Sequence, residues 1–262
     1  MTTMVNSILG NADYFVLLLF RVGGLVISSP IFGRINVPQR VKIGLVAALS
    51  LLFFNLFPPT YSIEVSTLSG FLIVCAGEVL LGIALAYVTN IFFALTFVAG
   101  QLIDMQIGYG IVNVYDPQNN TQIPMIGNVL NLILLIVFFV VDGHQQLVRI
   151  LYLTVEKMPI GTLVFSPGVG LAALEIFVRS FLLGVMVAMP ILASALTLEI
   201  VLGVFMRAVP QIHMFVVGVP LKMIIGLLVL AAMLPIFGNF SNTIFSEMFN
   251  GIEKMFNAFA AG

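Results

Sequence analysis

Charged residues are scarce in this chain of 262 residues. Asp, Glu, Lys and Arg together make up 8% of it, whereas 61% of the residues are hydrophobic and the mean hydropathy is +1.18. A soluble domain carries about 25% charged residues, so this chain has too few to cover a surface that faces water on all sides. The composition predicts an all-α integral membrane protein. With about 20 apolar residues per span, the length allows roughly five to seven hydrophobic helices.

Residues that carry catalysis or bind metals are also rare. The single cysteine, Cys75, can form neither an internal disulfide nor a thiolate metal site. His144 and His213 lie far apart and lack the HExxH spacing of a zinc site. Residues 168–173 fit a dinucleotide-binding fingerprint only superficially, because they follow Ser166-Pro167 rather than a strand. A net charge of −1 without a basic stripe excludes nucleic acid as a partner. The sequence predicts neither an enzyme nor a cofactor.

Intervals without charged residues predict where helices cross the membrane. Five of them are about long enough to span hydrocarbon: residues 43–63, 79–103, 117–141, 180–198 and 223–246. A sixth apolar stretch, residues 14–32, contains Arg21. Residues 200–221 are apolar too, but one arginine and two prolines interrupt them. This last stretch is therefore expected to be buried in protein or to line a wet cavity.

Eight charged residues lie within or beside the apolar stretches. They are Arg21, Glu78, Asp104, Glu175, Arg179, Glu199, Arg207 and Lys222. A central Arg, Lys or Asp costs roughly 2.5–3.5 kcal/mol on membrane insertion, so these side chains are expected in buried packing contacts or at contacts with other subunits. Glu175 and Arg179 stand four positions apart with the acid first, the favourable order for an ion pair within a helix. Glu199 and Arg207 lie about two turns apart, so their partners are expected elsewhere.

Small and polar side chains recur at every fourth position in two stripes. The first stripe consists of Glu78, Gly82, Ala86, Asn90 and Ala94, and the second of Ala195, Glu199, Gly203 and Arg207. Small residues let helix backbones approach closely, and polar groups form hydrogen bonds across such contacts. Three interpretations fit these stripes: packing within the chain, packing against other subunits, and a path for a solute or for protons.

Residues 244–259 follow an amphipathic helical period, with Ile, Phe and Met on one side and polar residues mainly on the other. A helix on a membrane surface would be rich in Lys and Arg. This segment instead has Glu247 and Glu253 against Lys254. The pattern favours packing on a partner protein over binding to a membrane surface.

One loop, residues 106–124, is unlike the others. It is the longest stretch of turn-forming residues in the chain, with Gly108, Gly110, Asn113, Asp116, Pro117, Asn119 and Asn120. Loops of this length commonly have a function or are disordered. Its apolar residues suit a loop packed inside a cavity, where the two glycines would permit movement; they are Ile107, Ile111, Val112 and Val114. The loop is either a structural connector or an element that gates or occludes a channel.

Six motifs, taken in order along the chain, resemble those of the FliR family, the R subunits of the flagellar type III export gate. They are Arg21-Val22 with Pro30; residues 37–45 (VPQRVKIGL); Gln106-Ile107-Gly108 with Asp116-Pro117 and Pro124; Asp142-Gly143-His144; Pro159-Ile160-Gly161; and residues 207–211 (RAVPQ) with Gly218-Val219-Pro220. The resemblance is collinear over residues 21–245, and this shared order makes it specific.

The resemblance implies a helical, pore-forming subunit of the bacterial inner membrane, in the flagellar basal body. Such a subunit assembles with FliP and FliQ homologues, next to other membrane proteins of the export apparatus, and passes unfolded flagellar proteins outward. Family members resemble a FliP-like portion followed by a FliQ-like helical hairpin, here residues 1–166 and 167–262, the latter ending in the amphipathic helix. The family's complex sits largely above the bilayer, which would explain the tolerated charges.

In the family, the loop matching residues 106–124 plugs the closed channel. This role carries over to the positions that match the motif: Gln106, Gly108, Asp116, Pro117 and Pro124. The plug segment also contains Tyr109 and Gly110, where the match is not diagnostic. The residues themselves leave two alternatives open. One is a secondary transporter with Glu78, Asp104 and Glu199 as ion-coupling carboxylates, and the other is an assembly scaffold that conducts nothing.

Overall fold

A computed structural model describes residues 11–58, 67–109, 124–162, 166–208 and 214–260, and within these ranges the chain is helical without a strand. The α-helices are α1 (Ala12–Ser28), α2 (Gln39–Leu56), α3 (Leu68–Ile107), α4 (Met125–Val140), α5 (Gly143–Lys157), α6 (Gly168–Ala208) and α7 (Val219–Ala260). A short π-helix, Met214–Gly218, directly precedes α7. The prediction of an all-α fold is confirmed.

Prolines and turn residues set several of the helix ends. α2 and α4 begin directly after Pro38 and Pro124, because a fixed φ and a missing N–H suit the start of a helix. α6 begins shortly after Ser166, whose Oγ accepts a hydrogen bond from the Gly168 N–H at 3.3 Å. Between α4 and α5, Asp142 adopts the left-handed conformation with φ of 55°, which breaks the helical path there.

Among the described residues, four stretches are long and apolar enough to cross a membrane: α2, α3, α6 and Val216–Ala260. α4 and α5, joined by a bend, would form a fifth as one broken span. The predicted membrane protein with several spans is confirmed by these helices. α3, α6 and α7 contain 40, 41 and 42 residues, so each is about 60 Å long at 1.5 Å per residue. That is about twice the hydrocarbon thickness of a bilayer.

Three predicted spans are shorter than the helices that contain them: residues 79–103 in α3, residues 180–198 in α6 and residues 223–246 in α7. α2 and α4 are instead shorter than the predicted spans at residues 43–63 and 117–141. The predicted span at residues 79–103 lies inside α3, which continues past Glu78 and Asp104 at its two ends. Both carboxylates are buried and have hydrogen-bond partners in the chain. A charged residue does not end a helix where protein rather than lipid surrounds it. Using charges as span boundaries therefore underestimated the length of the long helices.

The chain forms two compact units. Unit 1 comprises residues 1–91, 142–176 and 248–262, and unit 2 comprises residues 92–141 and 177–247. The three long helices α3, α6 and α7 each contribute to both units. The predicted division into residues 1–166 and 167–262 is based on similarity to FliP and FliQ subunits and not on compact units. It stays a prediction.

In unit 1, a glycine lets α1 and α3 approach closely. A Cβ atom built on Gly82 would lie 2.4 Å from the Arg21 carbonyl oxygen. Farther along α3, Asn90 Nδ2 donates to the Ser28 carbonyl oxygen at 2.5 Å. Packing within the chain is therefore confirmed for this part of the first stripe. In the second stripe, a Cβ built on Gly203 would have no other described residue within 4 Å.

In unit 2, α3 and α4 meet at a pair of glycines. A Cβ atom built on Gly100 would lie 2.2 Å from both the Cα and the backbone N of Gly127. One turn farther along α4, Asn131 Nδ2 donates to Thr96 Oγ1 at 3.2 Å and to the Phe93 carbonyl oxygen at 3.3 Å. The two helices that flank residues 106–124 are therefore in close backbone contact near that loop.

The amphipathic C-terminal pattern is confirmed as a helix, but the partner protein expected for it is wrong. Residues 244–259 are the last turns of α7. The apolar face is buried within this chain, with Ile244, Met248, Ile252 and Met255 each at most 1% exposed. Since the chain covers this face itself, no second protein is needed to shield it from water.

Candidate functional site

The described ends of the loop at residues 106–124 are here called the loop roots: residues 106–109 at the end of α3, and residues 124–126 at the start of α4. Gly108 follows α3 with φ of 96°, and its N–H donates to the Asp104 carbonyl oxygen at 3.2 Å. Glycine commonly ends helices in this conformation, because it lacks the Cβ that makes the conformation costly. Three predicted plug residues lie outside the described residues: Gly110, Asp116 and Pro117.

Asp104 joins the two loop roots. Its Oδ1 accepts a hydrogen bond from the Ile126 N–H at 3.4 Å, and Asp104 is only 6% exposed. Ile126 lies in the first turn of α4, where backbone N–H groups lack partners within the helix and the helix dipole favours negative charge. A carboxylate from the end of α3 thus caps the start of α4. The loop therefore leaves and re-enters unit 2 at one place.

A buried isoleucine anchors the first root. Ile107 is fully buried and lies against Gly226 of α7, where a built Cβ atom would lie 2.6 Å from Ile107 Cδ1. The expectation that the loop's apolar residues pack inside protein is confirmed for Ile107, while Ile111, Val112 and Val114 lie outside the described residues. Gly226 was not predictable from the sequence, because its contact with a distant residue leaves no local pattern.

Gln106 belongs to a polar cluster at the same root. Its Nε2 donates to Glu199 Oε2 at 3.4 Å, and Lys222 Nζ lies 3.3 Å from the same oxygen. The expectation that Glu199 finds a partner other than Arg207 is confirmed. The Glu199 side chain is 43% exposed, so solvent screens the ion pair and its contribution is at most about 1 kcal/mol. The cluster links α3, α6 and α7.

The most deeply buried charges are Arg21 of α1 and Glu78 of α3, both fully buried in unit 1. Arg21 Nε lies 2.5 Å from Glu78 Oε2, and Nη2 donates to Oε1 at 3.1 Å. Arg21 Nη1 also donates to the carbonyl oxygens of Thr154 and Met158, each at 2.9 Å. Glu78 Oε1 accepts a hydrogen bond from the Gly161 N–H at 2.7 Å. The pair thus ties the end of α5 and the turn at Gly161 to α1 and α3.

The predicted ion pair between Glu175 and Arg179 is wrong. In unit 1, Glu175 pairs with Lys254. In unit 2, Arg179 donates to both carboxylate oxygens of Glu247, at 3.0 and 3.1 Å. A two-pronged contact with a facing helix offers an arginine better geometry than a residue one turn away on its own helix. Glu175, Arg179 and Arg207 are exposed in this chain, and their contacts with other subunits stay a prediction.

Some partners of the buried charges were not predictable from residue types. The Thr154 and Met158 carbonyl oxygens carry no residue-specific signal. Gly161 is different, because it lies in the Pro159-Ile160-Gly161 motif and adopts a φ of 87°, which favours glycine. The motif marks the turn that brings the Gly161 N–H to Glu78.

In unit 1 the buried Arg21 and Glu78 pair with each other and with the backbone, and in unit 2 the buried Asp104 binds the backbone of α4. Within the described ranges, no group of three or more His, Cys, Asp or Glu residues comes together that could hold a metal ion. What the arrangement can do is fix the loop roots in unit 2 and hold α1, α3 and the end of α5 together in unit 1.

Comparison with known proteins gives the same family over most of the chain. Residues 12–248 match the family model described as bacterial export proteins, family 1. The flagellar biosynthetic protein FliR of Escherichia coli (strain K12) is 32% identical over 233 residues, covering 88% of each chain. FliR of Bacillus subtilis (strain 168) is 28% identical over 261 residues, covering 98% of each. The chain therefore belongs to the FliR family of bacterial export proteins and has a role in the flagellar export apparatus.

Proposed function

We propose that this chain is a subunit of a pore in the bacterial inner membrane, formed with FliP and FliQ homologues, through which unfolded flagellar proteins are exported. Residues 106–124 plug the closed channel, and opening displaces them. The chain acts as a passive gate, and the energy that drives substrates through the pore is supplied by other components.

The observation that carries the proposal is the hydrogen bond between Asp104 and the Ile126 N–H, which holds the two loop roots together. A segment tied at one place can move without any change in the helices that hold it. Gly108, in a conformation that favours glycine, supplies the joint at the first root. The buried Ile107 keeps that joint in place when the rest of the loop moves.

Exposed apolar side chains on α6 support assembly with other subunits. Ile200, Val204 and Phe205 are each more than 60% exposed in this chain. Beside them, Gly203 has open space around its Cα. Apolar faces of this kind contact lipid or another protein, and a small residue on such a face lets a neighbouring helix approach closely.

The buried carboxylates argue against a secondary transporter. Both oxygens of Glu78 are bound by Arg21, and one also accepts the Gly161 N–H. Asp104 is bound to the start of α4. An ion-coupling carboxylate must exchange partners during transport, whereas these two hold structural elements together.

The test is to delete residues 108–120 and measure conductance. The full chain, with or without the deletion, is assembled with its FliP and FliQ homologues and reconstituted in planar bilayers. If the loop occludes the pore, the deletion should raise the basal conductance to small ions at least about twofold, because a barrier that excludes ions is removed. Recovery of the same complex in both cases is the control. Unchanged conductance in an intact complex would rule out the plug, and the scaffold alternative predicts that result.

Two replacements of Gly108 test whether export depends on its positive φ or on its lack of a side chain. Gly108→Val is expected to reduce flagellar export several-fold, because a β-branched residue resists a positive φ and strains the first root. Gly108→Asn is the matched control, since asparagine tolerates this conformation, and it should retain most of the export. Secretion of flagellar subunits into the medium is the readout. Equal export by the two variants would show that the conformation of Gly108 is not required.

A further inference from the structure

A polar groove runs between α5 and the last turns of α7, within unit 1. Its volume is about 490 Å³, in the size range of binding sites. Arg149 and Lys157 line it from α5, and Glu253 lines it from α7. Apolar side chains lie between these charges, among them Leu153, Phe249 and Phe256. The groove thus combines an apolar strip with charged edges.

The three charges that line the groove have no partner among the described residues. Neither Arg149, Lys157 nor Glu253 takes part in an ion pair or a side-chain hydrogen bond there. The neighbouring Lys254, by contrast, is paired with Glu175. Unpaired charges are costly in hydrocarbon, so lipid tails do not fill this groove. It faces water or another protein.

The spacing of the charges fits a helix as the occupant. Arg149 and Lys157 are two turns apart on one face of α5, about 12 Å along its axis, with Leu153 midway between them. A helix lying in the groove would place apolar residues on the half-buried Ile150, Leu153 and Phe249, at the spacing by which amphipathic helices bind grooves. Acidic residues along one edge of it would face the two cations. Glu253, on the opposite wall, would repel that edge and so select the direction of the bound helix.

We propose that this groove binds an amphipathic helix of a partner protein, with an apolar face and one acidic edge. This docking site is separate from the loop at residues 106–124 and does not depend on the plug. A binding assay without conductance therefore tests it independently of the proposed export gate.

Two synthetic helical peptides serve as probes. They share the same leucine face and glutamine on one edge, and the other edge carries glutamate in the first peptide and lysine in the second. Binding to the detergent-solubilised full chain is measured by fluorescence anisotropy. The acidic peptide should bind about 5- to 10-fold more tightly than the basic one, since two partly exposed cations attract the first and repel the second.

Charge reversal in the groove provides the decisive comparison. Arg149→Glu/Lys157→Glu should invert the preference, and Arg149→Glu alone should reduce it. Arg40→Glu, at another exposed arginine outside the groove, is the matched control and should leave the preference unchanged. Equal binding of both peptides to the unmodified chain, or a preference that survives the double reversal, would overturn the proposal. Vesicles of anionic phospholipid test the alternative occupant. If they bind the unmodified chain but not the double variant, and neither peptide is preferred, the groove binds lipid headgroups and the proposal is overturned.

Discussion

Replacing Arg21 with methionine is expected to lower the free energy of unfolding by about 3–5 kcal/mol, because the Glu78 carboxylate would stay buried without its counter-ion. Both side chains are fully buried, so water cannot replace the lost guanidinium without a rearrangement of unit 1. The carbonyl oxygens of Thr154 and Met158 each lose the hydrogen bond from the guanidinium as well. The measurement is the denaturant midpoint of the purified chain in detergent, followed by near-ultraviolet circular dichroism.

Two further variants identify the cause of that loss. Arg21→Met/Glu78→Leu removes both charges and should be more stable than Arg21→Met, because no buried charge is left unpaired. Arg21→Lys keeps the charge but loses the two-pronged contact and the planar fork of donors, so it should lie between the unmodified chain and Arg21→Met. A double variant no more stable than the single one would show that the buried pair does not act as a unit.

The class of fold was predictable because it follows from composition. A chain with 8% charged residues cannot cover a soluble surface, and helices are the elements that an apolar chain of this kind forms. The helix ends were less predictable, because α3 passes Glu78 and Asp104 without a break. Whether a charge ends a helix depends on whether a distant segment supplies its partner.

In the candidate site, too, features set by neighbouring residues were predictable, whereas contacts with distant segments were not. Gly108 and the buried Ile107 could be identified from the residues of the loop itself. The contacts that place them could not, because Asp104 caps α4 through the Ile126 N–H and Gly226 comes from α7. The wrong pair of Glu175 with Arg179 has the same origin. Spacing along one helix shows which residues can meet, whereas the facing helix decides which of them do.

Replacing Gly100 with valine is expected to have the second large effect on stability. A Cβ atom there would lie 2.2 Å from the Gly127 backbone, and a backbone cannot move aside as a flexible side chain can. α3 and α4 must therefore separate, at a cost of about 1–3 kcal/mol or more. Gly238→Val in α7 is the matched control, because a Cβ there would meet no other described residue within 4 Å, and it should cost less than about 1 kcal/mol.

The same substitution also tests how the helices hold the loop. If α3 and α4 separate, the 3.4 Å contact between Asp104 and the Ile126 N–H lengthens, and the loop roots are no longer held together. Assembled complexes that contain Gly100→Val should then leak ions, whereas those with Gly238→Val should not. Equal denaturant midpoints for the two variants would contradict the close glycine contact. If the Gly100→Val complex is destabilised but remains impermeable to ions, the loop is held in the pore by contacts other than its roots.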